Sequence, residues 1–289
     1  MTLARYGGQV PAMDLGVVAW LTDLDLDIGD LAQMVEQAGL ESLFIPEHTH
    51  VPVVRRDLLD DPYHARDPRL LDHVVALGAA AAVTSRLKLG TAACVVPQRD
   101  PIVLAKQVAT LDHISGGRFL FGVAAGWLEE EMRNHGVNPP QRWDIMREHL
   151  LAMKEIWTHE EAEFHGEYVD FDPIWMWPKP AQVPHPPILV GGFGPRLLRM
   201  TAELGDGWLA IIGDKAEFKR ALADLTLACQ EVGSLRVEVT ACLFEIDEPL
   251  LAVCAEHGVA RCAIVAPTYD QAALESFLDE CTRLSLQFR

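Results

Sequence analysis

Residues 89–127 read LGTAACVVPQRDPIVLAKQVATLDHISGGRFLFGVAAGW. An apolar run leads into a polar turn, an amphipathic stretch, a Gly-Gly turn and a second apolar run that opens into another Gly-ended loop. That order predicts a β-α-β unit with a loop at the C-terminal end of each strand, where α/β proteins collect their ligands. One segment thus points to an architecture and to a place for chemistry.

The pattern repeats outward from it. Apolar runs at residues 15–20, 42–46, 87–95, 119–124, 188–191, 207–211, 237–244 and 261–266 predict eight strands. Helical stretches at 28–38, 70–84, 102–114, 129–135 with 145–159, 197–204, 215–232, 249–256 and 271–284 separate or follow them. By count this is a closed (β/α)8 TIM barrel, and 289 residues suits one such domain over residues 1–289. Two connections are long, residues 47–67 after strand two and 160–187 before strand five, and long connections are usually lids or binding loops. The second carries Tyr168, Phe171, Trp175 and Trp177. These aromatics read either as a cap that keeps water out of the barrel mouth or as a face for another copy.

Bulk properties narrow the partners. A formal net charge of -18 argues against nucleic acid, which needs a basic face. No apolar run approaches the length of a membrane span, and residues 1–13 hold no apolar signal core, so a cytoplasmic protein is expected. The six cysteines form no CxxC and no zinc spacing, so they read as buried free thiols in a reducing compartment. There is no GxSxG elbow for a serine hydrolase. His48 and His50 form an HxH pair without a third ligand at recognisable spacing, so no metal is expected.

Four stretches resemble the bacterial luciferase-like superfamily of flavin and deazaflavin oxidoreductases, and most closely its F420-dependent branch. They are IPEHTHVP (45–52), LGTAACVVPQRDP (89–101), AKQVATLDHISGGRFLFGVAAGW (105–127) and ILVGGFGP with AELGDGW (188–208), in the family's order. The resemblance implies a (β/α)8 barrel, usually a homodimer, with the cofactor ring at the C-terminal mouth. It implies hydride transfer between coenzyme F420 and a small organic substrate. The alternatives are an FMN-dependent luciferase-like monooxygenase and a barrel that binds a flavin or deazaflavin without turnover.

Site residues follow from the same stretches. The family places an acid–histidine pair beside ring and substrate, here Glu47 and His48, and a histidine moves protons near neutral pH. Glu47 is expected to orient the histidine or to contact the deazaflavin. Ala92, Ala93, Cys94 and Val95 end strand three, where F420 relatives back the ring with a bulge holding a non-prolyl cis peptide. Gly126-Trp127 and Gly192-Phe193-Gly194 lie between strand and helix, where backbone N–H groups suit a phosphate. The second loop leads into Arg196, while the first leads into Glu129, Glu130 and Glu131, which would repel an anion. Gly192-Phe193-Gly194 superficially resembles GxGxxG, but Leu197 replaces the third glycine, so a dinucleotide fold is not expected. FMN-using relatives often carry an arginine where Ala125 stands, which favours F420 with its internal phosphodiester. Arg55, Arg56, Arg66 and Arg69 are candidates for the acidic F420 tail. Leu111-Asp112 and Ser115 to Arg118 lie at the far end of the barrel and read as structural.

Overall fold

The computed structural model describes residues 12–61, 64–234, 237–267 and 270–288; most of residues 1–13, read above for a signal core, lie outside them. The strands in chain order are β1 (Asp14–Val18), β2 (Ser42–Ile45), β3 (Lys88–Thr91), β4 (Cys94–Val95), β5 (Phe119–Ala124), β6 (Glu161–His165), β7 (Asp170–Trp175), β8 (Ile188–Gly191), β9 (Gly207–Ile212), β10 (Glu238–Leu243) and β11 (Arg261–Val265). The helices are α1 (Ile28–Gln37), α2 (His73–Val83), α3 (Pro101–Ser115), α4 (Glu129–Asn134), α5 (Arg142–Thr158), α6 (Pro195–Leu204), α7 (Lys215–Val232), α8 (Glu248–Glu256) and α9 (Gln271–Phe288).

Eight of these strands pair in parallel as β1-β2-β3-β5-β8-β9-β10-β11, and β11 returns to β1. This is the (β/α)8 TIM barrel that the alternation predicts. One apolar side chain from each barrel strand or its end fills the inside: Val18, Phe44, Ala92, Leu120, Leu189, Leu209, Cys242 and Ala263. Close approach is needed here. A Cβ on Gly90 would stand 2.2 Å from the Phe44 ring. The larger core lies between strands and helices, where two-sided burial explains the unbroken apolar runs. All six cysteines are free and buried. Among the described residues no helix is long and apolar enough to cross a membrane.

The strand expected over residues 87–95 is two pieces. β3 ends at Thr91, the Ala92–Ala93 peptide is cis, and β4 resumes the pairing with β5 at Cys94. Gly122 on β5 makes room for the bulge, because a Cβ there would lie 1.8 Å from the Thr91 carbonyl oxygen. Most helices that follow a barrel strand start from an aspartate whose side chain accepts a backbone N–H: Asp27, Asp72, Asp100, Asp214 and Asp247. Such caps satisfy donors that the helix itself leaves open. α6 differs. It begins from Gly194 with no side-chain cap.

At the N-terminal end of the barrel, Arg261 grips Glu41 with two hydrogen bonds of 2.5 and 2.6 Å, and Lys88 adds a contact of 2.7 Å. Burial alone would raise the Glu41 carboxyl, but the two cations outweigh it and hold it at about 2. A carboxyl depressed in the fold stabilises it above its ordinary pKa of 4.5. That contribution, up to about 3 kcal/mol, is lost as the pH falls from there towards 2. Urea unfolding across that window is expected to show the loss, and Glu41→Gln to flatten this acid limb while lowering neutral stability by leaving Arg261 unpaired.

Candidate active site

The C-terminal strand ends surround an open cavity of about 770 Å³. Its wall includes Glu47, His48, Ala92, Ala93, Val95, Gly126, Trp127, Gly192 and Phe193. The structure thus brings together nine of the residues singled out from the sequence. Three others stand elsewhere. Cys94 turns into the outer core, where burial and the nearby Glu47 carboxylate push its thiol well up, away from reactivity. Gly194 is the N-cap of α6 rather than part of the wall. Arg196 pairs with Asp144 at the surface, both half exposed, so it does not reach the cavity.

His48 follows β2 and its side chain is 10% exposed. Its Nδ1 lies 2.7 Å from Glu131 Oε2 on α4. An ionised carboxylate only accepts, so Nδ1 carries the proton in that bond. Nε2 lies 3.6 Å from Asp67 Oδ2, too long for a hydrogen bond, and is the nitrogen left for a substrate. Burial would lower the His48 pKa, but the Glu131 hydrogen bond and charge, with Asp67 and Glu47 behind, raise it overall. Burial raises the Asp67 carboxyl, and the His48 and His64 rings offset this only in part. His64 Nδ1 sits 2.8 Å from Asp67 Oδ2. The Trp127 ring packs against both histidines, edge-on to His48 at 5.6 Å and tilted to His64 at 4.8 Å.

Glu47 lines the cavity, but its carboxylate is bonded to groups other than His48. Its Oε2 accepts the Val95 N–H at 2.6 Å and its Oε1 takes Arg99 Nε at 2.7 Å. It anchors the β3–β4 bulge to the end of β2. The acid that touches His48 is Glu131, which also accepts Thr49 N–H at 2.8 Å. Glu131 was legible only as the third of three acids suited to a helix start. Asp67 and His64 had no signal beyond the length of the 47–67 connection.

The expected anion-binding cations are also rearranged. Among the described residues, Lys215, at the start of α7, is the one lysine or arginine that lines the cavity. Arg55 lies 6.0 Å over the Trp127 ring and pairs with Asp57 and Glu130. Arg66 and Arg69 pair with Asp25 and Asp23. Ala125 lines the cavity as a small buried residue.

The aromatic connection does not cap the mouth. β6 and β7 form an antiparallel hairpin whose turn is held against α5 by Glu148, which accepts the Glu167, Tyr168 and Val169 N–H groups. A helix-to-strand connection belongs to the barrel end opposite the cavity. Trp175 is 73% exposed there. The aromatics that line the cavity include instead Trp20, Trp127, Trp143, Phe193 and Phe244.

Known proteins share this sequence and shape. The family model described as luciferase-like monooxygenase matches residues 26–245. An uncharacterized protein of Mycobacterium tuberculosis (strain ATCC 25618 / H37Rv) is 44% identical over 207 residues, covering 68% of this chain and 72% of its own. An F420-dependent glucose-6-phosphate dehydrogenase of Kineococcus radiotolerans is 30% identical over 190 residues, 64% of this chain and 52% of its own. An FMNH(2)-dependent dimethylsulfone monooxygenase of Pseudomonas putida is 34% identical over 146 residues, 50% of this chain and 40% of its own. The solved monooxygenase RslO1 from Streptomyces bottropensis shares the fold, with a TM-score of 0.75 at 20% identity over 96% of this chain and 98% of its own.

Glu131→Ala leaves Thr49 N–H and His48 Nδ1 without their buried acceptor, which costs about 1–3 kcal/mol for an unpaired group. Urea denaturation is expected to show a loss of that size, with Glu131→Gln recovering most of it, because the amide oxygen accepts the Thr49 N–H and the amide NH2 donates to the other His48 tautomer.

Proposed function

This chain belongs to the luciferase-like monooxygenase family, and we propose that within it the chain is an F420-dependent oxidoreductase acting on a small organic substrate. The cavity fits a flavin-sized tricycle. Its volume of about 770 Å³ lies within the range of cofactor sites, and the Ala92–Ala93 wall is free of bulky side chains. Bound F420 supplies the carbon that carries hydride. The chain supplies everything else.

The observation that carries the F420 reading is the make-up of the phosphate end. The start of α6, which has no side-chain cap, offers backbone N–H groups, which suit a phosphate, while the Gly192 N–H is taken by the Leu209 carbonyl. Among the described residues no guanidinium lines the cavity: Arg196 faces Asp144 outside, and Ala125 brings no charge. A phosphodiester with one negative charge needs less than the phosphomonoester of FMN. Lys215, with Arg55 at the rim, remains for an acidic tail.

His48 holds the mobile proton at Nε2, while Glu131 fixes the ring through Nδ1. Glu131 keeps the imidazolium favourable, so the ring donates to a substrate oxygen during reduction and takes the proton back during oxidation. Trp127 and Trp143 line the mouth and limit the access of water. The FMN reading rests on the monooxygenase relative at 34% identity, and under it Lys215 becomes the phosphate's cation.

Fluorescence titration of cofactor-free protein with F420 and FMN at matched salt decides between them. F420 is expected to bind at least about tenfold tighter, a difference of about 1.4 kcal/mol. Preference for FMN overturns the reading, and binding of neither removes the cofactor role altogether. In an F420-linked substrate screen, His48→Gln is expected to lower turnover by about 10²–10⁴-fold. F420 affinity should stay within about threefold. Binding with no turnover by the unmodified chain on any substrate would favour a carrier barrel.

A further inference from the structure

His50 lacks a partner set in the sequence, and the fold provides one. Glu131 and His135, one helical turn apart at α4, stand against it. His50, Glu131 and His135 each offer a ligand atom, all within 4.8 Å of one another. They surround the hydroxyl of Thr49. Its Oγ1 lies 2.9 Å from His50 Nδ1, 2.7 Å from His135 Nε2 and 2.9 Å from Glu131 Oε1.

We propose that His50, Glu131 and His135 form a binding site for a zinc-type divalent transition metal, beside the redox cavity with Glu131 as the shared wall, and independent of the cofactor reading. Two imidazoles and one carboxylate suit Zn²⁺ or Co²⁺, whereas Mg²⁺ and Ca²⁺ favour oxygen-only shells. Thr49 Oγ1 or a water completes four-coordination. Zinc ligands at about 2.1 Å stand roughly 3.4 Å apart around a tetrahedron, so atoms within 4.8 Å of one another must close by up to about 1.4 Å. His135 is exposed and lies just past the end of α4, where a side-chain rotation achieves this and where an ion enters from solvent.

The surroundings hold the ligands in place. Glu131 Oε2 is occupied by His48, and Oε1, which keeps the Thr49 N–H, can exchange the Thr49 hydroxyl for the metal. His50 Nε2 is 2.8 Å from the Asn134 amide. When Nδ1 ligates, Nε2 carries the proton and the flipped amide accepts it, the usual outer support of a metal-bound histidine. The competing trio of Glu47, His73 and Cys94 is fully buried. There Arg99 already neutralises Glu47, and its guanidinium opposes a second cation.

A bound ion would tie the loop after β2 to α4 and stiffen one wall of the mouth. The test is isothermal titration of the chelator-stripped, full-length chain with Zn²⁺. One equivalent with a Kd on the order of 1 µM is expected, together with a higher melting temperature in zinc. His50→Ala and His135→Ala should each weaken binding by about 100-fold while melting like the parent in chelator. The unmodified chain loaded with Co²⁺ should give the visible absorption of a four-coordinate site, a readout that no variant's folding affects. Failure to bind zinc at 100-fold higher concentration ends the proposal, as does wild-type affinity in both variants or a six-coordinate Co²⁺ spectrum.

Discussion

The pairing of β3 with β5, Leu89 against Phe119 and Gly90 against Leu120, closes the strand ring, and nearly everything else follows from that closure. A closed parallel ring has no free edge and gathers all eight C-terminal strand ends on one face. It also leaves a narrow inside, which is why Gly90 must yield to the Phe44 ring and Gly122 to the Thr91 carbonyl. Where β3 gives way to the Ala92–Ala93 bulge, the wall of the cavity loses its side chains, and the site begins there.

Three acids near the mouth show how one residue type serves different ends. Glu47 is spent on Arg99 and the Val95 N–H, so it shapes the backbone. Glu131 is shared between His48 and Thr49, so it orients an imidazole and fixes a loop. Asp67 stands close to both His48 and His64 without a hydrogen bond to the first, and its carboxyl is the one pushed upward. A chain of net charge -18 still presents a mouth in which each of these acids stands beside a histidine or an arginine. Their work differs because their partners come from different elements.

The resemblance named residues by position in the strand-end loops, and position was enough for most of the wall. Ala92, Ala93, Gly126, Trp127, Gly192 and Phe193 line the cavity because backbone at a strand end has little choice of direction. Long side chains had that choice. Arg196 begins its helix beside the mouth yet swings to Asp144, and Glu47 sits next to His48 yet reaches Arg99. The aromatic stretch before β8 looked like a lid because its composition resembles one, but chain direction sends a helix-to-strand connection to the other end of the barrel.

The sequence by itself determined the barrel, the order of its elements and the segments that meet at its mouth. Apolar periodicity records which residues are buried, and eight alternating units admit few other arrangements. Only the tertiary structure decided that Glu131 clamps His48, that Asp67 and His64 stand on the ring's other side, and that His135 meets His50. Those partners lie on separate elements or across a long connection, and their side-chain directions depend on how packed elements are placed, which no local pattern encodes.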